Sequence, residues 1–114
     1  MNLSVSRRSV LGALAVLPVA GLAQSIPSTV RIVVAYPAGG VSDVVARALA
    51  DKLAAQLGTT VSGENRAGAS GSIGMDMVAK AAPDGATLGF SAVSPLVLNP
   101  HLGKSPFDPL KDVV

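Results

Sequence analysis

Tyr36-Pro37-Ala38-Gly39-Gly40-Val41-Ser42-Asp43 decides how this chain is read. It follows Val30-Arg31-Ile32-Val33-Val34-Ala35, a β-branched run short enough to be a buried strand. Beyond it Val41, Val44, Val45, Ala48, Leu49, Leu53 and Leu57 recur at i, i+3, i+4, i+7 and i+8. That spacing predicts an amphipathic helix with this stripe buried. Ser42 is the expected N-cap, Asp43 a first-turn charge that also pairs with Arg47, and Gly58 the stop. A strand that turns through Pro-Ala-Gly-Gly straight into a helix presents free backbone N–H groups at the helix's positive end, a place suited to an anion.

The N-terminus reads as a delivery signal. Arg7 and Arg8 precede an apolar run from Val10 to Leu22, and Gly21-Leu22-Ala23 has small residues at the peptidase position. The run is too short for a membrane span, which needs about 20 apolar residues. Residues 1–23 are therefore expected to be a signal peptide cleaved near Ala23, the competing reading being a hydrophobic first helix of the fold. Ser6-Arg7-Arg8-Ser9-Val10-Leu11 resembles the twin-arginine export signal. Val10 replaces the common Phe there and Gly12 the common Lys, so the general secretory route stays open. Either route leads out of the cytoplasm.

Removing that segment changes the charge balance. Nine Lys and Arg stand against seven Asp and Glu, and without Arg7 and Arg8 the mature part carries seven of each. A neutral chain with scattered cations offers no argument for nucleic acid or for a membrane surface. There is no cysteine, which excludes disulfides and thiolate metal sites, and His101 is the only histidine. A metal centre is not expected.

Thr29 to Tyr36 is the first predicted strand, apolar almost throughout, as strands buried on both faces of a parallel sheet are. Thr59 to Glu64 is a second, weakened by Gly63. Asn65-Arg66-Ala67-Gly68-Ala69-Ser70-Gly71-Ser72 leads into a helix over Ile73 to Ala82, with Ile73, Met77, Val78 and Ala81 inward. Pro83-Asp84-Gly85 is a turn, and Ala86 to Val93 a third strand. Ser94-Pro95 opens a short helix that Pro100 ends. Strand–helix alternation predicts an α/β fold with a parallel, doubly wound sheet. In such sheets ligands sit at the carboxyl ends of the strands. Three nearly uncharged junctions fall there: Tyr36 to Asp43, Asn65 to Ser72, and Ser91 to Asn99.

These residues resemble the Bug/TctC solute-binding receptors of tripartite tricarboxylate transporters. Pro37-Ala38-Gly39-Gly40-x-x-Asp43 is similar to that family's P-x-G-G-x-x-D signature, and Glu64-Asn65-Arg66-Ala67-Gly68-Ala69-x-Gly71 to its second loop. Pro83-Asp84-Gly85-x-Thr87-Leu88, Asn99-Pro100 and Phe107-Asp108-Pro109-Leu110-Lys111-Asp112 continue the register. Five collinear motifs cover essentially the whole mature chain.

The resemblance implies a periplasmic, two-lobed (Venus flytrap) binding protein, not an enzyme and without a cofactor. Such a receptor closes over a small carboxylate and hands it to a membrane permease. It makes Ala38, Gly39, Gly40 and Ser42 ligand-binding candidates on the first loop, with Tyr36 lining the site and Asp43 orienting the loop. Ala69, Ser70 and Gly71 are candidates on the second. Ser91 and Ser94 follow from their position at the third junction. A carboxylate held by backbone amides needs no arginine, and glycine lets the ligand approach where a Cβ would not.

The sequence departs from the family pattern at two points. Ala86 stands where relatives carry an aromatic, and the chain ends at Val114, inside the usual course of the first lobe. Residues 24–114 are thus expected to be an incomplete N-terminal lobe, and a truncated, non-functional remnant is the alternative. A third reading takes Gly68-Ala69-Ser70-Gly71-Ser72-Ile73-Gly74 as the glycine-rich turn of an NAD(P) oxidoreductase. Against it, no apolar strand runs directly into that turn and no acidic residue follows at the ribose position. Asp43, His101 and Ser42 or Ser94 lack the G-x-S-x-G elbow of a hydrolase. Citrate, tartrate, glutamate, aspartate and aromatic acids all remain open as ligands.

Overall fold

The computed structural model describes residues 25–103 and 105–113; the expected signal segment lies outside them. Strand β1 (Thr29–Val34) is followed by helix α1 (Val41–Leu57) and strand β2 (Thr60–Asn65). A 3₁₀ turn (Ala69–Gly71) leads into helix α2 (Ser72–Ala79), and strand β3 (Thr87–Phe90) comes next. A wide π turn over Ser94–Leu98 then runs into the four-residue helix α3 (Asn99–Leu102).

The sheet is parallel, in the order β2-β1-β3. Val34 pairs with Asn65 on one side and with Phe90 on the other, so the three carboxyl ends are level. Central β1 explains the unbroken apolar run, because both of its faces are covered. Ile32 and Val34 pack on Ala46 and Ala50 of α1. Ala35, with Met75 of α2 and Phe107, forms a second cluster, and Gly89 of β3 meets Met75 and Val78. The helices lie on opposite faces, a doubly wound arrangement.

The rotation of α1 differs from expectation. Val41, Val44, Val45 and Leu49 are exposed (82%, 61%, 48% and 43%), and the buried stripe is Asp43, Ala46 and Ala50, with Leu53 half-buried. This is the same helical period turned to another face. The alanines let the helix lie close to β1, and Asp43 is turned inward by the bonds it makes at the sheet's end. The N-terminus differs too. Gly40, in extended conformation, is the N-cap, and Ser42 lies in the first turn without a capping bond. Asp43 satisfies the turn instead, its carboxylate accepting the Gly39 N–H at 2.9 Å. Gly58 ends the helix as expected, at φ 63°, its N–H bonded to the Ala54 carbonyl.

Helix α2 is shorter than expected, and Met75 takes the inward position in place of Ile73, which is 54% exposed. Gly74 sets that face: an added Cβ would lie 2.8 Å from the Arg66 carbonyl oxygen and 2.9 Å from the Ala35 Cα. Pro100 does not end the last helix but sits in the first turn of α3, where a missing N–H is harmless. The preceding π turn makes this possible, the Asn99 N–H donating to the Ser94 carbonyl.

Candidate functional site

The three junctions meet at the carboxyl edge. Main-chain bonds carry the ladder past the strand ends, from the Ala35 N–H to the Phe90 carbonyl (3.1 Å) and from the Arg66 N–H to the Val34 carbonyl (2.8 Å). The first loop therefore leaves between the other two.

Under the first loop lies a compact polar network. Asp43 is 5% exposed and accepts from the Gly39 N–H, from Arg47 Nε at 3.1 Å and from Asn65 Nδ2 at 2.9 Å. Asn65 Nδ2 also donates to the Tyr36 carbonyl at 3.1 Å, and its Oδ1 accepts from Arg47 Nη2 at 3.3 Å. The Arg47 bond, the Gly39 amide and Asn65 together hold the Asp43 carboxyl down at about 2. Asp43 is ionised at any physiological pH and directed beneath the loop.

This network sorts the backbone donors. The Gly39 N–H is taken by Asp43, and the Gly40 N–H makes a long turn bond (3.4 Å) to the Pro37 carbonyl. The amides of Ala38, Val41 and Ser42 have no acceptor among the described residues. Two of these three belong to the first helical turn, whose N–H groups have no intrahelical partner. Pro37 to Val41 is exposed, with half-buried Ser42 next to it.

The second loop is held in an unusual backbone conformation. Gly68, Ala69, Ser70 and Gly71 have φ of 135°, 47°, 54° and 91°. For Ala69 and Ser70 this left-handed geometry costs about 1–2 kcal/mol each. Exposed Ala69 and Ser70 offer amides without acceptors among the described residues, whereas the buried Gly71 N–H is bonded to the Gly68 carbonyl (2.9 Å). Gly71 faces Pro95 and Ala35, so its place is structural. Asn99 braces this loop from the third junction, Nδ2 donating to the Ala69 carbonyl (3.2 Å) and to Ser72 Oγ (2.7 Å). These contacts account for the glycines of the Gly68–Gly74 motif through packing and turn geometry.

At the third junction Ser91 and Ser94 are half-buried. Ser91 Oγ and Tyr36 Oη, at the ends of neighbouring strands, are buried without a hydrogen-bond partner among the described residues. Arg66 is bonded to Glu64 (Nε to Oε1 2.7 Å) and His101 is exposed on α3. No group of three or more His, Asp or Glu among the described residues could hold a metal ion. Ala69, with Ser72 and Asn99, lines an open cavity of about 470 Å³ between α2 and α3 that also touches Asp76. A second, of about 580 Å³, lies at the Pro83–Gly89 end. The first junction lines neither of these cavities, and its exposed Pro37 to Val41 stretch carries no charged side chain. Asn65 and Asn99, which brace the loops, fall within the Glu64–Gly71 and Asn99-Pro100 motifs and not among the predicted site residues; their signal is a side-chain amide at a strand-to-helix junction.

The family model of the tripartite tricarboxylate transporter family receptor matches residues 45–114. BugT of Bordetella pertussis is 46% identical over 87 residues, 75% of this chain and 27% of that protein. Among solved structures, MatC from Rhodopseudomonas palustris with bound malate superposes with a TM-score of 0.61 at 35% identity, covering 74% of this chain and 29% of that one. A second R. palustris protein, solved with adipate, gives a TM-score of 0.63 at 31% identity, covering 72% and 28%. The chain thus spans less than a third of the length of these relatives. No helix among the described residues is long and apolar enough to cross a membrane.

Proposed function

Because the chain belongs to the tripartite tricarboxylate transporter receptor family and is similar to BugD, a periplasmic binding protein (46% identical, TM-score 0.54), and to MatC with bound malate, we propose that it captures a small carboxylate outside the cytoplasm. In this reading residues 1–23 direct export and are removed near Ala23, and residues 24–114 form part of lobe one. The bound acid then passes to the permease of a tripartite transporter.

The observation that carries the proposal is the set of unbonded amides at the carboxyl edge. Ala38, Val41 and Ser42 on the first loop, and Ala69 and Ser70 on the second, point to an anion in a place where the guanidinium groups of Arg47 and Arg66 are already paired with Asp43 and Glu64. A carboxylate there gains roughly 1.5–3 kcal/mol per charge-assisted bond, and about 0.3–1 kcal/mol more from the α1 dipole. Ser42 Oγ adds a hydroxyl donor and Ser94 meets the remainder of the ligand, while the buried Tyr36 and Ser91 hydroxyls back the site from the sheet. Asp43 acts from beneath, and the exposed Gly39 and Gly40 keep side chains out of the approach. Malate and adipate, bound by two structural neighbours, differ in length and share only terminal carboxylates, the group that such a loop recognises.

The test is a thermal-shift panel of malate, adipate, citrate, tartrate, glutamate and aromatic acids against NAD(P), on the protein as its own gene expresses it. A shift of several degrees with at least one carboxylate is expected. A shift with NAD(P) and with no carboxylate would sink the proposal.

A further inference from the structure

We infer that Asn65 is the positioning residue that makes the two ligand loops one rigid unit, before any ligand arrives; as a statement about binding this rests on the function proposed above. Asn65 is the last residue of β2 and the first of the second junction. Its side-chain amide bridges to the Tyr36 carbonyl at the start of the first loop and to the Asp43 carboxylate, while its Oδ1 accepts from Arg47. The same carboxylate holds the Gly39 N–H. One side chain therefore ties the end of β2 to both ends of the Tyr36–Asp43 loop.

The consequence concerns which amides face outward. With Gly39 turned down onto Asp43, the neighbouring Ala38, Val41 and Ser42 amides have no acceptor among the described residues. If Asn65 is removed, Asp43 keeps Arg47, which is 55% exposed, but loses its link to the sheet. The loop then samples other conformations, and a ligand must first select the competent one, which weakens apparent affinity by the fraction populated. A short amide is suited to this place because it donates twice. A carboxylate there would face the Asp43 carboxylate and the Tyr36 carbonyl, both acceptors.

The experiment combines amide exchange with affinity, using malate and adipate as probes on the protein as its gene expresses it. Asn65→Ala is expected to speed exchange of the Gly39 amide about tenfold or more and to weaken binding of the recognised acid by a similar factor. Asn65→Asp should do worse. The double variant Asp43→Asn/Asn65→Asp should bind better than Asn65→Asp, because the new amide at 43 can donate to the new carboxylate; a merely structural loss would not show that recovery. Unchanged Gly39 exchange in Asn65→Ala overturns the inference, as does faster exchange with unchanged affinity. If the unsubstituted protein binds neither probe nor any other acid of the panel, the receptor function fails, and Gly39 exchange alone decides whether Asn65 orders the loop.

Discussion

Replacing Gly74 by alanine sets two effects of opposite sign against each other. Alanine in a helix is favoured over glycine by about 1 kcal/mol, from backbone entropy alone. The structure opposes that gain. The new Cβ would stand 2.8 Å from the Arg66 carbonyl oxygen and 2.9 Å from the Ala35 Cα, both main-chain atoms that cannot rotate away. Comfortable contact begins near about 3.5 Å, so α2 would have to retreat from β1 by roughly 0.6 Å. Overpacking of this kind costs typically about 1–3 kcal/mol, and the net expectation for Gly74→Ala is a loss of up to about 2 kcal/mol. For a domain of this size that lowers Tm by up to roughly 16 °C. Gly63→Ala is the control: its Cβ meets no atom within 4 Å, and stability should hold or rise slightly. Urea denaturation followed by circular dichroism, with calorimetry for Tm, measures both. A Gly74→Ala protein more stable than its parent, as helix propensity alone would make it, would show that α2 does not lie against β1 as described.

Two further outcomes follow from the first loop. Gly39 has φ 82° with open space around it, so Gly39→Ala should lose about 1 kcal/mol through backbone strain alone. Gly40 has φ −78° and its Cβ would meet only the Pro37 oxygen at 3.4 Å; Gly40→Val should keep the Tm within a few degrees and abolish carboxylate binding in calorimetric titration. Unchanged affinity in that variant would refute the loop's role. Asp43 gives a pH signature. Its carboxyl is held at about 2, below its ordinary value of 3.8, so its contribution to stability is complete above about pH 4 and fades as pH falls toward 2. Asp43→Asn should melt lower than the parent at neutral pH, and the gap should narrow between pH 4 and pH 2; a constant gap would show that the charge is not what stabilises the turn.

Much of this architecture is legible in the residues. A run apolar but for Arg31, as in Val30 to Ala35, means a strand covered on both faces, and strand–helix alternation means a parallel sheet. Gly58 and Pro83-Asp84-Gly85 mark real boundaries because a left-handed cap and a tight turn depend on local chemistry. The family resemblance rested on loop motifs of the same local kind, and the match over residues 45–114 agrees with it. Local chemistry also placed Ser42, Asp43, Ala69, Ser70 and Gly71 at one sheet edge.

What the residues could not decide was orientation. The apolar spacing of α1 defines a helix equally well whichever face meets the sheet, and the bulkier valines suggested the wrong one. Asp43 chose the other, through bonds to Gly39 four residues before it and to Asn65 twenty-two residues after it. The second of these exists only once β2 has paired with β1. The same holds for the loop donors: a Gly-Gly turn promises free amides, but which ones stay free depends on a carboxylate brought from below by packing. Sequence determined the elements and the edge proposed to hold a ligand; tertiary contacts, because they join residues far apart in the chain, decided which amides there are left without an acceptor among the described residues.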